Sequence, residues 1–136
     1  MLKPQPRVTE VNRPFWDGCN DGRLTMQRCR NSECGKTVFY PRVCCPHCHG
    51  ADLDWVDVGS SGRIMSHTTV HRPHHGGFVA EVPYVFAAIE IAGAILYAQV
   101  LGAPVDGSSL IGRAVSVEFV PHGPDRRLAA FRLASA

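Results

Sequence analysis

Five of the six cysteines in this 136-residue chain lie between residues 24 and 50, where they form two close pairs. The stretch CRNSECG supplies Cys29 and Cys34, and CPHCHG supplies Cys45 and Cys48. Structural Zn²⁺ takes four thiolate or imidazole ligands, usually from two such pairs. Gly and Pro near the second ligand of each pair suit the tight turns that this arrangement needs. The pattern predicts one structural zinc ion held by Cys29, Cys34, Cys45 and Cys48.

Cys44 stands directly before Cys45, so two pairings with Cys48 are open. The Cys45–Cys48 pair has the C-P-x-C spacing of a tight turn, whereas a Cys44–Cys48 pair would be one residue longer. We therefore assign Cys45 as the ligand. Cys44 and Cys19 are predicted to be small buried hydrophobic residues.

Iron is the alternative metal, because CPHCHG also resembles a rubredoxin knuckle. Electron transfer would need a cluster close to solvent and a redox partner, and no other feature of the sequence indicates either. Zinc is therefore the preferred ion.

Four histidines crowd the stretch SHTTVHRPHHGG and raise the question of acid–base chemistry or a second metal. On a strand, His67 and His71 would lie about 13 Å apart along one face. His74 and His75 belong to a loop rich in Pro and Gly. We therefore interpret the four as a solvated strand end and loop. The chain also lacks a Ser-His-Asp pattern, a nucleophile elbow, a phosphate loop and a dinucleotide fingerprint, so no catalytic residue is predicted.

Composition divides the chain into a helical segment (1–23), the cysteine-rich ribbon (24–50) and a strand-rich region (51–136). Hydrophobic residues make up 45% of the chain and charged residues 19%, which is typical of a folded domain. A short helix is predicted because Asn12 can cap it and Pro14 suits its first turn. Gly22 would end the helix, and its apolar side would carry Phe15, Trp16 and Cys19.

Five strands are predicted after residue 51, and they make the fold mainly β. They are Ile64–His71, Tyr84–Ile91, Ala94–Leu101, Ala114–Phe119 and Leu128–Leu133. Gly93 turns the second strand into the third, and VDGSSLIG is predicted to form a turn followed by one helical turn. Five short strands interrupted after the third are the order of an OB-type barrel, although a small sandwich has a similar count.

Charge and hydropathy exclude several classes of protein. The formal net charge is +2, from 14 basic and 12 acidic residues, which does not fit a protein that depends on the phosphates of nucleic acid. Residues 82–101 are apolar enough to cross a bilayer, but the polar and turn residues among them favour two buried strands. The N-terminus has no signal-peptide core, so we expect a cytoplasmic protein whose cysteines bind metal rather than form disulfides.

Several motifs, in chain order, resemble a bacterial and archaeal acyl-CoA-associated family that joins a rubredoxin-like zinc ribbon to an OB-fold domain. They are FWDGCNDGRLTMQRC followed by CG, FYPRVCCPHC, VDVGSSGRIMSHTTVHRP, VPYVFAAIEIAGAILYAQVLG, LIGRAVSVEF and AAFRLA. The resemblance covers nearly the whole chain and carries the family's zinc ligands onto the same four cysteines. The first knuckle departs from the family, because it is C-x4-C where C-x2-C is commoner.

The resemblance implies a non-catalytic subunit that assembles with a thiolase-like enzyme. Such partners include the thiolases and aldolases that shorten steroid side chains or aromatic acyl-CoAs, and some family members work beside hydratases or hydroxymethylglutaryl-CoA synthase. The subunit would stabilise the enzyme in a hetero-oligomer and help to form its acyl-CoA site.

Two groups of side chains are candidates for these contacts. Loop cations suit the phosphates of CoA, with ordinary solvated loop residues as the alternative interpretation. These candidates are Arg72, His74 and His75 in one loop and Arg126 and Arg127, beside His122, in another. Aromatic side chains dominate interface energetics, so partner anchors are predicted at Phe15, Trp16, Phe39 and Tyr40. The alternative is that this helix packs on the protein's own ribbon.

The competing function is nucleic-acid binding, because zinc ribbons and OB-folds both occur in such proteins. Single-strand-binding OB surfaces combine aromatic stacking platforms with a basic groove. The second and third predicted strands offer mainly aliphatic residues, with Tyr84, Phe86 and Tyr97 as their only rings. Nucleic acid is therefore the less favoured partner.

Overall fold

The computed structural model describes residues 3–134 and is mainly β, with a single α-helix in that range. Its elements are α1 (Arg13–Asn20), β1 (Thr25–Cys29), β2 (Thr37–Val38), β3 (Leu53–Asp57), β4 (Ser61–Val70), a 3₁₀ turn (Gly76–Phe78), β5 (Tyr84–Ile91), β6 (Ala94–Leu101), β7 (Ala114–Pro121) and β8 (Arg127–Leu133). No helix among these residues is long and apolar enough to span a membrane.

The ribbon is a three-stranded antiparallel sheet in the order β2-β1-β3. Gln27 sits in the middle strand, opposite Val38 on one side and Trp55 on the other. Its side-chain amide donates to the carbonyl of Arg42 at 2.8 Å and accepts from the backbone N–H of Arg42 at 2.7 Å. These two hydrogen bonds hold the backbone at Arg42, which leads to the second cysteine pair, against β1.

The strand β3 was not predicted, and it pairs with β1 over its whole length. The sheet of the ribbon therefore extends to Asp57, beyond the cysteine-rich region. The division of the chain at residues 23 and 50 stays a prediction.

The remaining five strands close into a barrel in the order β4-β5-β6-β8-β7. All neighbours are antiparallel except β6 and β8, which run parallel. This is the OB-type barrel that the sequence predicted, and β5 and β6 match the predicted bounds to the residue. The hairpin between them turns at Ala92 and Gly93, whose positive φ angles of 51° and 83° fit a two-residue loop.

Two local predictions were wrong. Residues 103–113 contain no helical turn, because Oδ1 of Asp106 accepts from both the backbone N–H and the hydroxyl of Ser108 and holds an Asx-type turn. Asn12 does precede α1, but its side chain does not cap the helix. Its carboxamide points away from the helix. It accepts a hydrogen bond from the N–H of Thr9 and donates one to the hydroxyl of Tyr40.

Helix, ribbon and barrel share one hydrophobic core. Phe15 and Cys19 of α1 and Met26 of β1 are buried in the same cluster as the barrel residues Ile89 and Phe131. A Cβ at Gly18 of the helix would lie 2.9 Å from the backbone oxygen of Arg23 and 3.0 Å from Oγ1 of Thr25 in β1, so only glycine permits this close approach. The three parts are therefore held in a fixed arrangement.

Candidate functional site

The sulfurs of Cys29, Cys34, Cys45 and Cys48 all lie within 4.8 Å of one another. The Sγ atoms of Cys29 and Cys48 are 3.5 Å apart, and those of Cys34 and Cys45 are 3.8 Å apart. A tetrahedral ion with bonds of about 2.3 Å to sulfur keeps its ligands about 3.8 Å apart. The four thiols therefore fit a structural metal, and four protein ligands would leave no position open for substrate.

Each knuckle is folded by its own turn. The N–H groups of Cys34 and Gly35 both donate to the carbonyl of Asn31, at 2.9 and 3.0 Å, and Gly35 has a positive φ of 64°. In the second knuckle the N–H of His47 donates to Sγ of Cys45 at 3.4 Å. Such N–H···S bonds stabilise thiolates, which are the forms that bind metal.

The pKa values of two thiols in the cluster, Cys29 and Cys48, are shifted in opposite directions. For Cys29 the N–H of Asn31 lowers the pKa, but burial and hydrogen bonds with the neighbouring thiols outweigh it and raise the pKa to about 12. The N–H of Gly50 and the hydrogen bond with Cys29 lower the pKa of Cys48 to about 7. The N–H of Gly50 therefore favours the thiolate form of Cys48, which is the form that binds metal.

Cys44 is outside the cluster, so the structure brings together the four cysteines assigned from the turn length. The prediction that Cys44 is buried was wrong, because it is only half-buried and follows Val43, which is 72% exposed. Cys19 is fully buried as predicted. Burial raises the pKa of its thiol to about 11, which leaves it protonated near neutral pH.

A second feature is a groove of about 340 Å³ where helix, ribbon and barrel meet, here called the aromatic groove. The four predicted anchor residues line it, together with residues of β6 and β8: Phe15, Trp16, Phe39, Tyr40, Ile95, Leu96, Tyr97, Leu128 and Ala129. The ring centroids of Phe15 lie 4.8 Å from Trp16 and 5.1 Å from Phe39. The predicted residues are therefore neighbours in space.

The rings of the aromatic groove differ in exposure. Phe15 is 4% exposed and belongs to the protein's own core, which is the intramolecular packing considered above. Tyr40 and Tyr97 form the rim, at 43% and 67% exposure. Neither Ile95 nor Tyr97 was predicted as a site residue, although their alternation along β6 places both on the outer face of the barrel.

The loop cations differ in how many contacts they make with other residues of the chain. Arg126 donates to the carbonyl of Trp16 and lies 6.0 Å from the Trp16 ring. Arg127 donates to the carbonyls of Asn20 and Phe119. Both guanidinium groups therefore help to fasten α1 and the β7–β8 loop.

Arg72, His74 and His75 lie in the loop between β4 and β5. His75 accepts a hydrogen bond from Gly77 N–H at its Nδ1 atom. Arg72 and His74 are exposed and make no side-chain hydrogen bond or ion pair with another residue of the described range 3–134. This loop meets the β7–β8 loop, since the rings of Phe78 and His122 are 6.3 Å apart.

The N-terminal segment crosses the junction of these two loops. Lys3 pairs with Glu81 and lies 5.1 Å from the Phe78 ring. The carbonyl of Pro4 is 2.7 Å from Nε2 of His122. The loops that bind ligands in many OB-folds are therefore partly covered by this chain's own residues.

The other two histidines of the SHTTVHRPHHGG stretch, His67 and His71, do not belong to a group arranged to hold a metal ion. Nε2 of His67 accepts a hydrogen bond from the N–H of Leu110 at 2.9 Å, which anchors the β6–β7 loop. His71 is exposed just beyond β4. Within residues 3–134 the four cysteines are the one cluster arranged to hold a metal ion.

The fold and the four-cysteine cluster together define a protein with a rubredoxin-like ribbon and an OB-fold barrel. Two family models match: the rubredoxin-like zinc ribbon domain of ChsH2 over residues 16–54, and the C-terminal OB-fold domain of ChsH2 over residues 55–120. The chain belongs to this ChsH2 ribbon and OB-fold family, which confirms the resemblance inferred from its motifs.

Among curated proteins, the chain is 32% identical over 132 residues to a probable enoyl-CoA hydratase alpha subunit of Thermomonospora curvata. That alignment covers 96% of this chain and 40% of the relative, so the chain spans less than half of that protein's length.

Among solved structures, a chain of an Ltp2-ChsH2(DUF35) aldolase is 31% identical, with a TM-score of 0.83. The match covers 96% of this chain and 100% of that one. A DUF35-family protein of unknown function from Sulfolobus solfataricus is 15% identical, with a TM-score of 0.59 over 93% of this chain and 87% of its own, and shows a shared fold alone.

Proposed function

We propose that this protein is a non-catalytic accessory subunit of an acyl-CoA-processing complex, and that its partner is a thiolase-like thiolase or aldolase. The observation that carries the proposal is the match over the full length of the ChsH2(DUF35) chain of an aldolase. A relative called an enoyl-CoA hydratase subunit supports acyl-CoA chemistry in a wider sense. The substrate class would be a steroid side-chain or aromatic acyl-CoA, and the location the cytoplasm.

The metal in this proposal is one structural Zn²⁺ ion. Four cysteine thiols at tetrahedral spacing suit zinc, and the ion would hold the two knuckles of the ribbon together. All four ligand positions are taken by protein sulfurs, so the ion would contribute to folding rather than to a reaction.

The absence of a catalytic role is supported by the state of the remaining reactive side chains. Cys19 is buried and its thiol pKa is raised to about 11, so it is a poor nucleophile. His67 is engaged by the N–H of Leu110, and His75 by that of Gly77. A nucleophile needs a base within hydrogen-bond reach. The hydroxyl of Ser108 does contact the carboxylate of Asp106, but both residues are exposed in one Asx-type turn, and the hydrogen bonds from Ser108 lower the pKa of Asp106 and make it a weaker base.

The aromatic groove is the proposed docking surface for the enzyme subunit. Tyr40, Ile95 and Tyr97 are exposed large apolar residues, and all three line this one groove. Grouped exposed aromatic residues mark protein interfaces more often than scattered ones do. The buried Phe15 and the partly buried Phe39 would support the rim from below.

A contribution to the acyl-CoA site is proposed for the loop cations. Arg72 and His74 are the best placed of them, because they are exposed and make no side-chain hydrogen bond or ion pair within residues 3–134. Arg126 and Arg127 would contribute less directly, since both are bonded to backbone carbonyls. Nucleic-acid binding has weaker support, because residues 3–5 cross the loops that OB-folds commonly use for oligonucleotides.

The experiment is co-expression of this chain, tagged, with each untagged thiolase-like enzyme of its own genome, followed by gel filtration. We expect one of them to elute with the tagged chain as a stable complex. Tyr97→Ser should weaken the complex by about tenfold or more, because an aromatic anchor at an interface is lost. The matched control is Ile111→Ser, which changes a residue that is 64% exposed and lies outside the groove. Failure of every enzyme to co-elute with the wild-type chain would contradict the proposal.

A further inference from the structure

Another concave surface lies where the ribbon meets the turn between β5 and β6, here called the ribbon pocket. Its volume is about 590 Å³, and it is lined by Arg28, Gly35, Lys36, Thr37, His47, Ala92 and Gly93. It shares no lining residue with the aromatic groove. Pockets of this size commonly hold a small molecule or part of one.

The charge of the ribbon pocket has one sign. Arg28 and Lys36 are cationic, His47 adds an imidazole, and no lining residue is a carboxylate. Arg28 and Lys36 are exposed and make no side-chain hydrogen bond or ion pair with another residue of the range 3–134. Asp54 lies opposite Arg28 in the pairing of β1 with β3, but its Oδ1 atom accepts from the N–H of Trp55 and it forms no ion pair with Arg28. Both cations are therefore open to an anion from outside the chain.

A nearly buried hydroxyl lies beside these cations. Thr37 is the partner of Arg28 in the pairing of β1 with β2, so the two side chains share one face. Thr37 is only 9% exposed, and its hydroxyl makes no hydrogen bond with another described residue. Among the described side chains, Nε1 of Trp16 is the one nitrogen or oxygen that is closed off from solvent without a partner, so the Thr37 hydroxyl is still open to a ligand. A polar group in so enclosed a place is costly unless something pairs with it.

Two glycines keep the pocket open. A Cβ at Gly35 or Gly93 would meet no atom within 4 Å, so space remains beside Lys36 and beside the β5–β6 turn. A compact anion can enter this space and reach Thr37. Carboxylates on a flat protein surface would meet the exposed cations but not the enclosed hydroxyl, which favours a small ligand.

We propose that the ribbon pocket binds a phosphate group of a small molecule. Arg28 and Lys36 neutralise its charge, and the hydroxyl of Thr37 donates to one of its oxygens. Guanidinium, ammonium and hydroxyl donors together suit the several acceptor oxygens of a phosphate. The inference does not rest on the proposed function, although the phosphates of an acyl-CoA would be one source of such a group and inorganic phosphate another.

The first measurement is a titration of the isotope-labelled chain with ADP, inorganic phosphate or adenosine, followed by its amide NMR signals. Both phosphate probes should give saturable shifts centred on Lys36 and Thr37, with affinity that falls as KCl screens the charges, and adenosine should give none. Tighter binding of ADP would identify a nucleotide as the source, and equal binding an isolated phosphate group. Absence of binding by both phosphate probes, equal binding of adenosine, or shifts confined to the β4–β5 loop would overturn the inference.

The second measurement compares dissociation constants of variants for the phosphate probe that binds more tightly. Arg28→Gln and Thr37→Val should each weaken binding by about tenfold, the scale of one hydrogen bond to a charged group. The matched control is Arg113→Gln, which changes an exposed cation outside the pocket and should leave binding unchanged. Arg28 is exposed, so its variant remains informative if Thr37→Val folds poorly. Unchanged affinity of Arg28→Gln, or an equal loss in Arg113→Gln, would overturn the inference and leave co-elution with an enzyme as a separate test of the proposed function.

Discussion

At the scale of single residues, the length of one turn decides which of two adjacent cysteines joins the thiol cluster. Cys45 reaches the cluster because only two residues separate it from Cys48, and Pro46 favours the tight turn between them. Cys44 is one residue further from Cys48 and lies outside the cluster. The four members of the thiol cluster could therefore be predicted from spacing alone. The half-exposed position of Cys44 could not, because it depends on what the rest of the fold leaves uncovered.

Serine substitutions test this assignment. The purified protein should contain about one zinc ion per chain by elemental analysis. Cys45→Ser should lose the metal and unfold the ribbon, because structural zinc contributes folding free energy directly. Cys44→Ser is the matched control and should keep the full metal content. Loss of zinc from the Cys44 variant with retention in the Cys45 variant would show that the assignment is wrong.

At the scale of elements, prediction succeeded where pattern and turn agreed. The strands β5 and β6 are continuous apolar segments joined by Ala92 and Gly93, and their bounds follow from that turn. The strand β3 has no such signal, since it is short and its pairing with β1 is a tertiary contact. The local pattern of the loop before β7 predicted a helical turn. Hydrogen bonds from Ser108 to the Asp106 carboxylate stabilise a different turn there.

His67 gives a prediction at this scale, because it joins β4 to the β6–β7 loop. Its Nε2 atom accepts from the N–H of Leu110, a residue that is only 1% exposed. His67→Phe should therefore lower the free energy of unfolding by about 1–3 kcal/mol, the cost of an unpaired buried N–H. Urea denaturation followed by circular dichroism would measure it. His67→Gln, which retains an acceptor, should recover part of the loss.

The control for that measurement is His74→Ala, since His74 is exposed in the β4–β5 loop. Its free energy of unfolding should stay within about 0.5 kcal/mol of the wild-type value. Equal stability of His67→Phe and the wild type would show that the hydrogen bond to Leu110 does not hold the loop.

At the scale of the whole molecule, the aromatic groove exists because three parts of the chain share one core. Trp16 comes from the helix, Tyr40 from the ribbon and Tyr97 from the barrel. Residue types identified the first two as candidates, but their convergence with β6 depends on contacts that no local pattern encodes. The sequence likewise gave no sign that Arg126 would bind the helix rather than remain in solvent.

Under the proposed function, the chain assembles with an enzyme and performs no bond-breaking step itself. The most direct measurement is acyl-CoA turnover by the complex when the chain carries Cys19→Ala, Cys44→Ala and His71→Ala together, with gel filtration to show that the complex is intact. The chain alone should show no turnover, and the substituted complex should keep kcat within about threefold of the wild type, because none of these side chains takes part in the reaction. A loss of about a hundredfold or more in an intact complex, the scale of removing a catalytic acid or base, would contradict the account.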